Sequence, residues 1–291
     1  MTLDTLVRLG LLLSIWLIVL SLGARASVES AGFLLRRPKK LGQALSAMFV
    51  AVPAFAVLVA AAAPLPAAIR FAIVAMSVGP LPPVLPFKQM KAGGDEGYAI
   101  GLLVAASLAS IVLTPLLVAV TTRLLGAHAA VGAADVARTL LMSIGLPLAA
   151  GMLLRAVSPR AAAVISKAGQ RAGSLILLAV FAVMVGAAWR EILGLFGNGA
   201  ALAIAATVAV GLLAGHLLAA PRHRAALALA AATRHPGVAL AIAEMSFPDQ
   251  RRPITAAILL YLLITALVTG PYVRWVRGKA ATPEAAATSG A

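Results

Sequence analysis

The chain contains no cysteine in 291 residues, which excludes disulfides and thiolate metal sites and leaves its redox compartment unreadable. It is almost as poor in acid: 9 Asp and Glu stand against 24 Lys and Arg, and charged residues make up 11% of the whole. A soluble domain of this length needs far more polar surface than that to cover its core. Ten-residue stretches of alternating polarity, the mark of an outer-membrane barrel, are missing. So are an HExxH zinc helix, a GxSxG nucleophile elbow and any pair of mid-span aspartates. An enzyme is therefore not expected, and neither a metal nor a cofactor.

What is present is apolar sequence: 62% hydrophobic residues and a mean hydropathy of +1.01. A helix needs about 17–25 apolar residues to span a bilayer. About nine runs qualify: Leu6–Leu22, Leu41–Ala63, Ala67–Lys88, Tyr98–Thr121, Val136–Val157, Ala172–Trp189, Ala200–Ala220, Ala225–Met245 and Ile254–Trp275. The expected fold is an all-α membrane protein, a single transmembrane domain over residues 1–291, with 279–291 read as a disordered tail.

The net charge of +15 would point to nucleic acid in a soluble chain. Here the cations fall in short loops, where membrane topology and anionic lipid headgroups account for them, so no nucleic-acid partner is expected. Sixteen Lys and Arg lie in the loops after spans one, three, five and seven and in the C-terminal tail, against seven on the other side, with Arg234 inside span eight. That places the N-terminus outside and the C-terminus in the cytoplasm, in an expected bacterial inner membrane. Leu22-Gly23-Ala24-Arg25-Ala26-Ser27 has the small-x-small shape of a signal-peptide cleavage site. The cluster Arg25, Arg36, Arg37, Lys39 and Lys40 follows it. Translocating those charges opposes the positive-inside bias, so the first run reads as a retained helix.

Two spans are interrupted. The third carries Gly79, Pro80, Pro82, Pro83 and Pro86, and the eighth carries Pro236 and Gly237 directly after Arg234 and His235. Broken backbone at membrane depth is tolerated only against other helices or a wet cavity. A matched pair of such breaks, one in each half of a chain, points to the binding site of a transporter. Spans one to four and six to nine superpose by order, and the breaks fall at equivalent places. The expectation is an inverted repeat, about 1–125 and about 135–278, whose two proline-broken helices cross.

The stretch Leu35-Arg36-Arg37-Pro38-Lys39, the broken third span, Ser110-Ile111-Val112-Leu113-Thr114-Pro115-Leu116-Leu117 and Thr233-Arg234-His235-Pro236-Gly237 occur in an order that resembles the bile acid:sodium symporter family. The resemblance covers nearly the whole chain. It implies an inverted-repeat transporter with two crossing helices, here without the family's first helix. It also implies departures at the sodium site. Phe87-Lys88 stands where the family carries Ser-Asn, Ala230 where it carries Glu, and Arg234 and Met48 where it carries Gln. Leu103 replaces a serine, while Ser107 keeps a hydroxyl. Sodium prefers a nearby carboxylate, and fixed cations in its place repel it by several kcal/mol in a low-dielectric site.

Those cations need partners, because a charge at mid-bilayer is expensive and marks a functional site by default. Lys88, Arg234, His235 and the two half-helix N-termini together form an anion trap, to which Ser107 adds a hydroxyl. The expected function is secondary transport of a small organic anion without sodium coupling, by proton coupling, uniport or exchange. A sodium-coupled organic anion symporter, a channel or a sensor on the same fold are the alternatives, and the oligomeric state stays open. Each residue also has a plainer reading. Arg234 caps carbonyls of its own broken helix, Lys88 snorkels to the interface, and His235 satisfies a carbonyl rather than carrying a proton. Glu244 reads as an interfacial carboxylate.

Overall fold

Proline and glycine decide where the helices of this chain stop, loosen or open. The computed structural model describes residues 3–125 and 133–280, and among them every regular element is helical. The principal ones in chain order are α1 (Leu3–Gly23), α2 (Pro38–Ala62), α3 (Ala67–Val78), α4 (Leu85–Lys91), α5 (Glu96–Leu125) and α6 (Ala137–Val157). Then follow α7 (Pro159–Ala187), α8 (Ala200–Leu218), α9 (Arg224–Ala232), α10 (Pro236–Ser246) and α11 (Arg251–Ala280). Seven of them are long and apolar enough to cross a membrane: α1, α2, α5, α6, α7, α8 and α11. The third and eighth predicted spans are each split into two half-helices, α3 with α4 and α9 with α10. The chain is thus a multi-pass integral membrane protein. The tail predicted from 279 falls, from 281 onward, outside the described residues, as does the side chain of Glu244.

The splitting follows from backbone chemistry. Proline has no N–H to donate and its ring clashes with the preceding turn. In a first helical turn neither matters, and there it is favoured. Pro80, Pro82 and Pro83 accordingly lie between α3 and α4, while Pro86 and Pro236 stand in the first turns of α4 and α10. In α2 and α6 the response is milder. A π-helical turn at Ser46–Ala51 precedes Pro53, and one at Leu141–Gly145 precedes Pro147. Each proline costs one ladder bond, and a wider turn absorbs the mismatch.

The half-helices form the centre of the core. Every side chain of α9 from Ala225 to Ala232 is buried, as is α3 from Phe71 to Val78. α9 lies against α8, and α3 against α2, α10 and α11. Helices approach this closely in a membrane only where side chains are small. A Cβ on Gly215 of α8 would stand 2.5 Å from the Ala228 Cα of α9. α1 packs instead along α6 and α7, which form a second group at the side of the bundle.

Outside the spans, aromatic and charged groups fasten one end. The buried His223 ring stacks on Tyr98 at 4.2 Å and meets Phe33 edge-on at 6.1 Å. Its Nε2 lies 2.9 Å from the Lys40 ammonium. Beside it, Arg222 donates to the Asp95 carboxylate at 2.8 Å, and Asp95 accepts the Tyr98 N–H at 2.8 Å. Burial first, and then the charge of Lys40, push His223 below its usual value near 6.5. A depressed histidine contributes stability that is complete above its unfolded value and is lost as the pH falls through its folded one.

Two outcomes follow. Gly215→Ala should cost about 1–3 kcal/mol of stability through overpacking, read as a lower melting temperature in detergent. Gly186→Ala, with open space around it, should not. The melting temperature should also decline as the pH drops below about 6.5, and Lys40→Met should flatten that decline.

Candidate functional site

A helix broken at mid-membrane leaves carbonyls at the end of its first half and N–H groups at the start of its second. In this protein the two breaks meet and satisfy part of each other. The His235 N–H donates to the Pro80 carbonyl at 2.9 Å, which sets the crossing of the two interrupted segments. Gly79 lies in the same contact, where an added Cβ would sit 3.4 Å from the His235 carbonyl oxygen. At the end of α3 the Val78 carbonyl accepts from Thr114 Oγ1 of α5 at 3.0 Å.

Arg234 lies fully buried between α9 and α10. Its Nη2 donates to the Met48 carbonyl of α2, and its guanidinium stands 5.6 Å from the centre of the Phe49 ring. The Met48 carbonyl is available for a reason written in the sequence. In the π register its partner would be the N–H of residue 53, which is a proline. The guanidinium thus caps an orphan that Pro53 creates. Nε and Nη1 of the same side chain have no hydrogen-bond partner among the described residues, and no ion pair reaches Arg234. Thr233 Oγ1, His235 Nδ1 and Tyr261 Oη are likewise buried without partners. Burying a charge costs several kcal/mol unless it is paired and fully hydrogen-bonded. This one is only partly satisfied.

Beside the second break lies a cavity of about 500 Å³. Its walls are apolar side chains of α1, α7 and α11, together with Pro82, Pro83 and the run from Thr233 to Gly237. Its polar residues are Ser174, Thr233, Arg234 and His235. Met48 and Phe49, which hold the charged end of Arg234, are not part of the wall.

Lys88 and Ser107 do not line this cavity. Lys88, half-buried in α4, donates through Nζ to Thr269 Oγ1 of α11 at 2.6 Å. Ser107 is buried in α5 with an unpartnered hydroxyl. The neighbour of Lys88 escaped the sequence reading: Gln89 is fully buried and donates from Nε2 to the Ala226 carbonyl of α9 at 2.7 Å, tying one broken segment to the other. A lone amide in a short amphipathic stretch gives no signal of this. Met48 had one, the proline five residues on.

Three of the positions at which a sodium symporter of the resembling family would offer oxygen are apolar here. Met48, Leu103 and Ala230 are all fully buried. The match with known families agrees with the fold: the model of the Sodium Bile acid symporter family covers residues 12–195. The chain belongs to that family. No curated protein matches it significantly. Members of the sodium bile acid symporter family are transporters rather than enzymes, so the chain is a membrane transporter of that type. The matched residues hold the first break, Gly79–Pro86; the second, at 233–237, lies beyond them, so the place of Arg234 rests on the geometry above.

Removing the cation should expose what it holds. Arg234→Ala orphans the buried Met48 carbonyl and should cost about 1–3 kcal/mol of stability. In a Pro53→Ala background, where an N–H returns to that carbonyl, the same substitution should cost measurably less. A double-mutant cycle of thermal unfolding reads the difference.

Proposed function

We propose that this transporter carries a small organic anion across the membrane without coupling to sodium. The observation that supports it most is Arg234, a fully buried residue of the cavity wall whose guanidinium keeps two unpartnered nitrogens and meets no carboxylate among the described residues. The missing counter-charge is the substrate. Arg234 is the principal cation, and the α10 N-terminus adds its dipole. His235 is the candidate proton carrier if transport is proton-coupled; uniport and exchange need none. Lys88 and Ser107 are the secondary contacts, the first reached from its bond to Thr269.

Sodium is the less favoured driver. Met48, Leu103 and Ala230 offer no side-chain oxygen, and the guanidinium occupies the neighbourhood with a charge of the same sign. The proposal extends to an inverted repeat of residues about 1–125 and about 135–278, making nine crossings when the two split segments are counted. The C-terminus is then cytoplasmic.

The test is flux and binding in proteoliposomes. Uptake of organic anions should be saturable and indifferent to a sodium gradient at constant voltage; a steep rise with sodium would sink the uncoupled reading. A charge-assisted hydrogen bond contributes about 1.5–3 kcal/mol, so Arg234→Gln should weaken anion binding roughly tenfold to a hundredfold. Lys88→Gln should weaken it less. Should Arg234→Gln lower the melting temperature and leave affinity untouched, the residue is a structural cap and the anion assignment fails.

A further inference from the structure

The cavity at the second break does not stand alone. A narrow apolar throat of about 120 Å³ shares Leu11, Leu177, Phe181, Pro236, Gly237 and Leu262 with it. Among the described residues, Thr255 is the only polar one in the wall of that throat. A third space of about 700 Å³ shares Met184 and Thr255 with the throat, and its wall carries Glu191, Arg251 and Arg252. Each space shares wall residues with the next, so the three follow one another as a groove of separate spaces between α1, α7 and α11. From Arg252 at its outer end to Ala266 at its inner end, α11 rises about 21 Å, more than the half-thickness of about 15 Å of a bilayer's hydrocarbon core.

Charge is distributed unevenly along that groove. The outer space holds two guanidinium groups and one carboxylate, the throat holds no charge, and the inner cavity holds Arg234. Arg252 is exposed and makes no hydrogen bond or ion pair among the described residues. A charged residue with no structural bond at the mouth of a low-dielectric cleft acts through its field, which such walls focus.

We infer that this groove is the route by which substrate reaches the second break, and that Arg252 at its mouth selects for anions. The inference rests on the transporter reading for the use of the route, while the route and its selectivity can be measured without any substrate. The cysteine-free chain makes the measurement direct. Thr255→Cys, Leu262→Cys and a buried control in α5, Leu102→Cys, are each placed in nanodiscs. They are then treated with a neutral reagent, 2-hydroxyethyl methanethiosulfonate, and an anionic one, 2-sulfonatoethyl methanethiosulfonate.

Thr255→Cys and Leu262→Cys should react at least tenfold faster than Leu102→Cys with the neutral reagent. At Thr255→Cys, adding Arg252→Gln should lower the anionic rate roughly threefold to tenfold relative to the neutral one, and high salt should erase the difference. If Leu262→Cys is as inert as Leu102→Cys, there is no route. If Arg252→Gln leaves the ratio of rates unchanged, the mouth does not select. In transport, Arg252→Gln should raise KM for an organic anion several-fold at unchanged kcat. Labelling that behaves as expected in a protein that moves no organic anion would keep the route and overturn the function proposed above.

Discussion

Backbone that cannot make its own hydrogen bonds is the constraint on which this structure depends. In the hydrocarbon core of a bilayer each free N–H or C=O costs several kcal/mol, yet two apolar segments of this chain are interrupted by proline and glycine. The resolution is mutual. One break donates to the other through His235 and Pro80, while Thr114 and Gln89 take up carbonyls at Val78 and Ala226. Those bonds run between distant parts of the chain, so both halves must be in place before either break is affordable.

The same constraint explains the buried arginine. Proline at 53 frees the Met48 carbonyl in α2, and the guanidinium of Arg234 is long enough to reach it from the second break. One bond and a ring contact do not satisfy a group with five donors. The remainder makes the site receptive to an acceptor, and an anion supplies both acceptors and opposite charge. A metal cation would supply neither, and that is the physical basis for proposing transport uncoupled from sodium in a family named for it.

Packing divides the bundle into two groups. α3 from Phe71 and α9 from Ala225 are buried on all sides; α3 lies against α2 and α11, and α9 lies against α8 through small residues. By contrast α1, α6 and α7 pack chiefly on each other, and the groove from Arg252 to the second break runs along that division. A seam between two packed groups can widen without exposing broken backbone, because the bonds that satisfy the breaks lie within one group.

Span positions, the two breaks, the family and the place of Arg234 inside a broken segment were legible in the sequence, because each depends on composition or spacing along a few dozen residues. Apolar run length sets a span, proline ends a helix wherever it falls, and an arginine at mid-bilayer is conspicuous by its cost. Partner choice was not legible. That Arg234 turns to Met48, that Lys88 turns to Thr269 rather than to the cavity, and that Gln89 joins the two broken segments are contacts across 137 to 186 residues. Which of several reachable carbonyls or hydroxyls a side chain takes is decided by how the helices pack. Only the folded bundle makes that choice, since in the bilayer core the helices offer a buried polar group no water as an alternative.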